Sequence, residues 1–263
     1  MADLSSGAVP VQAVSDRASP SASGPPALSD QVVVVLLVDV LPAWRLWGWW
    51  RIARGAQSWR RVPGLRFVKV MGSGFEGGFG LRPSASRQAV FLVFETGADA
   101  DRFVADSPAC QMYRQRAADF CLLTLRAWSA RGSWGGEVLT PSIHPPASGS
   151  PQPMVALTRA SIQPRRAVAF WRLAPAAQAS LDQAPGCLLA AGLGEAPLLR
   201  QATLSLWTSV AAMDAYARSG AHLAAIRAAH QQGHFSESMF VRFVPVAMQG
   251  TWKGRSYGPS TSA

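Results

Sequence analysis

The chain is written twice, and that limits what it can fold into more than any other feature. "VPGLRFVKVMGSG" (62–74) is answered by "APGCLLAAGLGEA" (184–196), and "RQAVFLVFETGADADRFV" (87–104) by "RQATLSLWTSVAAMDAYA" (200–217). "SWGG" (133–136) is answered by "TWKG" (251–254). Period-2 and period-3.6 patterning assigns the same order to each copy: strand, helix, strand, strand, helix, strand. In the first copy these elements fall near 32–40, 43–61, 65–71, 88–95, 98–119 and 120–127. In the second they fall near 154–163, 166–183, 186–192, 201–207, 209–231 and 238–246. The βαββαβ order is the ferredoxin-like motif. Helices on one face of each sheet leave the other face to be buried, and two such faces can bury each other. The expected fold class is therefore α+β, as tandem ferredoxin-like (βαββαβ) repeats packed as an intrachain dimeric α+β barrel. A ligand cavity is expected between or beside the sheets. The expected organisation is a disordered tail (1–30), a first repeat (31–136), a Pro/Ser linker (137–153), a second repeat (154–254) and a closing tail (255–263).

The repeat also decides the meaning of "KVMGSGFEGGFG" (69–80), which carries Gly72-x-Gly74-x-x-Gly77 after a strand. A dinucleotide fingerprint needs its third glycine to open a helix whose N-terminus holds the pyrophosphate. Here a loop and another strand follow, Glu95 ends that strand, and the counterpart "GLGEAP" lacks most of the glycines. The segment reads as an elongated turn. Its Gly-x-Gly start survives in both copies, which predicts a backbone conformation that side chains would obstruct.

Of the 25 basic residues only Lys69 and Lys253 are lysines, and the formal charge is +10. Such a surface favours anionic partners, but no dense cationic block marks a nucleic-acid site. Cys110, Cys121 and Cys187 form no C-x-x-C pair, so neither a zinc ribbon nor covalent haem attachment is indicated. The odd count and the lack of a secretory signal pattern point to a reducing cytoplasm. The run from Val32 to Trp50 is long enough to span a bilayer, but Asp39, Pro42 and Arg45 interrupt it. It reads instead as a buried strand followed by a helix. On a helical wheel Trp49, Ile52, Ala56 and Trp59 form a core face; Trp47, Trp50, Arg51 and Arg54 form an opposite face suited to peripheral contact with a membrane.

Motifs for zinc hydrolysis, nucleophile elbows and P-loops are missing from the chain. Of the four histidines, His144 falls in the linker, and His222, His230 and His234 fall in "GAHLAAIRAAHQQGHFSES". As a helix, this stretch places His222 near the centre of its apolar side, ringed by alanines. That suits a satisfied core histidine, or an axial ligand to a flat cofactor such as haem. A metal shared by His222 and His230 is disfavoured by about 12 Å of helical rise between them. Arg159 shares a strand face with Val155 and Leu157. It is expected either to meet a carboxylate, such as a haem propionate, or to reach out at the sheet edge.

The stretches "VALTRASI", "AFWRLAP", "PGCLLAAGLGEAPLLRQATLSLW", "MDAYARSGAHLAAIRA" and "FSESMFVRFVPV" resemble the spheroidene monooxygenases, carotenoid 2-ketolases of purple photosynthetic bacteria. The resemblance covers roughly 32–254. It implies an oxygenase that holds haem b, uses O₂ and external reduced ferredoxin, and converts C-2 of acyclic carotenoids to a 2-hydroxy and then a 2-oxo group. The matching "AHLAAIRA" block makes His222 the implied iron ligand, with Arg159 as a second cofactor contact. His234-Phe235 departs from the Trp-Phe of the family pattern. A haem or carotenoid carrier of the same fold is the alternative.

Overall fold

The structure is a computed structural model, and it describes residues 27–78, 82–147, 149–196, 199–218 and 235–258. The first strand, β1 (Val32–Val40), is apolar at nearly every position because both of its faces are covered. Leu41-Pro42 ends it and starts a short 3-10 turn that leads into α1 (Arg45–Arg54). Among the described residues no helix is long and apolar enough to cross a membrane.

A second 3-10 turn (Gly55–Trp59), β2 (Leu65–Gly74) and β3 (Pro83–Phe94) follow. The single helix expected at 98–119 is two, α2 (Gly97–Asp106) and α3 (Pro108–Gln115). Ser107 is held extended before Pro108, which then takes the first helical position. Thr96 caps α2 by accepting from the Asp99 N–H. The half closes with β4 (Ala117–Gly132). The second half runs β5 (Met154–Ile162), α4 (Ala167–Asp182), β6 (Cys187–Ala196), β7 (Arg200–Trp207), α5 (Val210–Ala217) and β8 (Phe235–Trp252), with a short β9 (Arg255–Tyr257) folded back on β8.

The strands lie in the order β4-β1-β3-β2-β6-β7-β5-β8, and β8 returns to β4, so eight antiparallel strands close into a barrel. Two seams join the halves. One is short, Gly72 opposite Gly194 and Ser73 opposite Leu193, with the Ser73 hydroxyl donating to the Gly192 carbonyl at 2.7 Å. The other is long, from Cys121 opposite Gly250 to Gly132 opposite Met239. This long seam explains why β4 and β8 overrun the sequence-based ranges of 120–127 and 238–246. At its ends Gly132 and Gly250 have left-handed φ of 80° and 97°. A Cβ there would stand 2.0 Å from the Ser238 or the Phe120 carbonyl oxygen. Only glycine lets the backbones approach so closely. The Gly-x-Gly pairs of the short seam are different: Gly72, Gly74, Gly192 and Gly194 are not among the positive-φ residues, contrary to the expected special conformation.

Alternate residues of every strand point inward, as an eight-stranded barrel requires. Val33, Val35 and Leu37 of β1 meet Phe91, Leu123, Val155, Leu157, Leu204 and Phe243 in one buried cluster. Trp134, just past β4, and Trp252, beside the start of β4, are buried members of the same cluster at opposite ends of the barrel. The linker is partly structural: Leu139 joins the interior, and the N–H groups of Ser142 and Ile143 donate to the Ala127 carbonyl.

Candidate functional site

Inside the barrel, one end carries charge. Arg159 extends from β5 on the face of Val155 and Leu157 and is 2% exposed. It donates to Glu237 of β8 at 2.5 Å and to Glu195 of β6 at 3.4 Å, and its guanidinium lies 5.7 Å from the Trp134 ring. Glu195 also accepts from the Trp134 indole N–H at 2.6 Å and pairs with Lys69 at 2.9 Å. Glu237 accepts from the Ser133 hydroxyl and the Gly136 N–H, at 3.0 and 3.1 Å. Two cations and two carboxylates thus stand together with no net charge. Burial pushes the Glu237 carboxyl up, but the Gly136 N–H, the Ser133 hydroxyl and Arg159 outweigh it, and the net shift is downward. Of the two sequence-based alternatives for Arg159, it meets carboxylates, and they belong to this chain. Its Nε has no hydrogen-bond partner. A propionate reaching this guanidinium would have to enter the barrel interior.

The outer faces of the two half-sheets differ in a way that bears on function. In the first half, one row across the strands reads Val68–Leu92–Val34–Thr124 and the next Val70–Val90–Leu36–Leu122. All but Thr124 pack under α1, α2 and α3 in a cluster that includes Trp59, Phe94, Phe103 and Tyr113. The corresponding rows of the second half read Ala190–Ser205–Ala156–Arg242 and Gly192–Thr203–Thr158–Phe240. Six of the seven aliphatic positions have become alanine, glycine, serine or threonine, and the seventh, Leu122, is answered by Phe240. Val34, Leu36, Val90 and Leu92 are fully buried, whereas Ala156, Thr158, Ala190 and Thr203 are only half-buried. Among the described side chains of α4 only Leu181 is fully buried, and α5 buries none. Phe170 of α4 meets Phe235 edge-on, and Tyr216 of α5 lies 5.2 Å from the Trp207 ring. The result is a floor of small residues with aromatic neighbours, the shape that accommodates a flat apolar group. Comparing the copies position by position would have revealed it from sequence.

His222, His230 and His234 lie outside the described residues; α5 ends at Ala217, five residues before His222. His144 is exposed in the linker. Arg159 sits on the opposite face of β5 from the small-residue floor, so the two features do not share a space. No group of three His, Cys, Asp or Glu among the described residues is arranged to hold a metal. Burial pushes the thiols of Cys121 and Cys187 up to about 12 and about 11, and raises that of Cys110, so all three stay protonated at neutral pH.

The helical-wheel reading of α1 needs correcting. Trp49, expected in the core, is 55% exposed, with its indole N–H donating to the Ala85 carbonyl. Arg51, expected outside, is buried. Its guanidinium lies 4.8 Å from the Trp59 ring, 5.3 Å from Tyr113 and 6.0 Å from Trp47, and its Nε donates to the Tyr113 hydroxyl at 3.3 Å. The wheel fails because α1 stops at Arg54: Gly55 takes φ 49°, and Trp59 belongs to the 3-10 turn beyond. The phase carried from Trp49 to Trp59 has no physical basis across that break.

Taken together, these features define an α+β protein built on a closed antiparallel barrel, with a buried charge cluster inside and a small-residue floor outside. Solved structures of aldoxime dehydratase have the same fold. One aligns at a TM-score of 0.53 with 12% identity, covering 82% of this chain and 81% of that one. Another, in complex with butyraldoxime, aligns at 0.54 with 11% identity, covering 84% and 81%. No family model matches the chain. It is 54% identical over 240 residues to the spheroidene monooxygenase of Rubrivivax gelatinosus, covering 90% of this chain and 92% of that protein. It is 39% identical over 196 residues to the one of Rhodobacter capsulatus, covering 73% and 80%. The chain belongs to the spheroidene monooxygenase family.

Proposed function

We propose that this chain is a carotenoid monooxygenase that hydroxylates C-2 of acyclic carotenoids such as spheroidene and oxidises the same carbon again to a ketone. The 54% identity to a protein of that name over nine-tenths of the chain carries the reading. The proposal includes haem b as the oxygen-activating group, reduced ferredoxin as donor, and a cytoplasmic protein that meets its substrate at a membrane. It also treats residues 31–136 and 154–254 as tandem ferredoxin-like repeats joined by 137–153.

The second half suits such a group better than the first. Ala156, Thr158, Gly192, Thr203 and Ser205 would form the floor against one face of the macrocycle, and Phe170, Phe235 and Phe240 would border it. His222, beyond the end of α5, is the proposed iron ligand. When bound, haem supplies the activation of O₂ with electrons from the ferredoxin. The chain's own part is to hold substrate and cofactor together and to keep water from the reacting carbon. Each oxygenation uses one O₂, two electrons and two protons, places one oxygen atom on carbon and releases the other as water. Two such events at C-2 leave a gem-diol, which loses water to give the ketone.

The test is an absorption spectrum of protein produced with ample haem, taken with and without dithionite, followed by exposure to spheroidene and reduced ferredoxin. A Soret band that shifts on reduction, with 2-hydroxy and 2-oxo products, is expected. Filling the floor with Ala156→Leu and Thr203→Leu should abolish the band while leaving the far-ultraviolet circular dichroism unchanged. A protein without a Soret band would remove haem from the reading. Bound haem with no oxygenated product would favour a carrier.

A further inference from the structure

Helix α1 is apolar on its outer side as well as on the side where Trp47 and Ile52 meet the core. Its solvent side carries Leu46, Trp49, Trp50 and Ala53, spaced i, i+3, i+4 and i+7, the stripe that ordinarily faces a core. Its inner side buries the cation of Arg51. Leu46 is 88% exposed, Trp50 50%, and Trp44, just before the helix, 40%. Solvent-facing apolar side chains are common singly, but an uninterrupted helical stripe of leucine and tryptophan marks a surface with a partner.

The charges beside the stripe say which partner. From Pro42 to Arg61 the chain carries five arginines and no carboxylate. Arg45, Arg54, Arg60 and Arg61 are exposed and form no ion pair among the described residues. Arg54 stacks on Trp50 at 4.8 Å, and together with Gln57, Ser58, Arg60 and Arg61 it lines a cleft of about 400 Å³. Arg116 closes the other side of the patch, 4.0 Å from the Trp44 ring. Tryptophan at the water boundary, an aliphatic tip beyond it and arginines alongside is the arrangement by which a helix lies in a lipid interface. An acidic protein would match the arginines but leave Leu46 and Trp50 without a counterpart.

We propose that α1 and the 3-10 turn after it form a docking surface for an anionic lipid membrane. Leu46, Trp49, Trp50 and Trp44 enter the acyl boundary, and the Arg54/Arg60/Arg61 cleft receives a lipid phosphate. This rests on the proposed activity only in that a membrane-dissolved substrate gives the docking its use.

The experiment is co-sedimentation of the full chain with vesicles of phosphatidylcholine and phosphatidylglycerol, and with vesicles of phosphatidylcholine alone. Wild type should bind the anionic vesicles more tightly, and added salt should weaken that binding. Leu46→Ser with Trp50→Ser should weaken binding to both kinds of vesicle, by about tenfold or more on the anionic ones. Arg54→Gln with Arg60→Gln and Arg61→Gln should lose about fivefold per arginine on the anionic vesicles and little on the neutral ones. All three proteins should oxidise detergent-dispersed spheroidene equally. Unchanged sedimentation of both variants would overturn the docking surface. So would unchanged vesicle binding with a loss of self-association, or with a loss of ferredoxin binding, since the patch would then serve a second copy or the donor. Intact vesicle binding with no product from dispersed substrate would overturn the activity and leave the docking surface standing.

Discussion

Replacing Arg159 by methionine should cost less than removing its two carboxylates, although the arginine is the more deeply buried partner. Breaking a buried ion pair from one side costs about 3–5 kcal/mol, mostly through the charge left behind. In Arg159→Met the charges left behind are not stranded. Glu195 keeps Lys69 at 2.9 Å and the Trp134 indole at 2.6 Å, and Glu237 keeps Ser133 and the Gly136 N–H. The methionine also fills most of the aliphatic space. The expected loss is about 2 kcal/mol, below the usual range. In Glu195→Gln/Glu237→Gln the guanidinium, 2% exposed, keeps amide acceptors but no counter-charge. Here the expected loss is about 4 kcal/mol. For a chain of this length these losses lower Tm by about 6 °C and about 12 °C. Urea unfolding followed by circular dichroism, with thermal scans alongside, measures both. If Arg159→Met lost as much as the double variant or more, the idea that the cluster shares its charges would fail. If Arg159→Met kept its stability but bound less haem, the arginine's role would lie with the cofactor.

The same cluster sets an acid limit. The Glu237 carboxyl is lowered in the folded protein, so its contribution is present above the unfolded value near 4.5 and fades as pH falls below it. Stability measured from pH 6 downward should therefore fall less steeply below about 4.5 in Glu237→Gln than in wild type. At α1, Arg51→Met should change stability by only about 1 kcal/mol, because the lost cation–π contacts are offset by removing a buried cation that has no carboxylate partner. Tyr113 gives a direct readout: burial raises its phenol and Arg51 pulls it back down, so spectrophotometric titration should find it higher still in Arg51→Met.

Much of this molecule could be read from local pattern. The element order, Pro63-Gly64 before β2 with Pro185-Gly186 before β6, and the strand character of Val32–Val40 depend on periodicity and turn residues that act within a few positions. The failures occur where a local rule was carried past its range. The wheel of α1 ran through Gly55, and the helix of 98–119 ran through Pro108. Arg159 was visible as a cation on an apolar strand face, but Glu195 and Glu237 lie 36 and 78 residues away on other strands. No spacing rule connects them.

Sequence by itself therefore determined the alternation of strands and helices along the chain, because binary pattern is a property of the chain alone. Tertiary structure alone decided that β4 meets β8 and that Gly72 meets Gly194, which closes the barrel and divides every strand into an inner and an outer face. That division gives each remaining feature its meaning. Val155, Leu157 and Arg159 face inward to a packed core and its charge cluster. Ala156 and Thr158, between them in the chain, face outward on the side of α4 and α5 and are only half-buried. Neighbouring residues of a strand point to opposite sides, so which side becomes a packed core depends on what the rest of the chain places there.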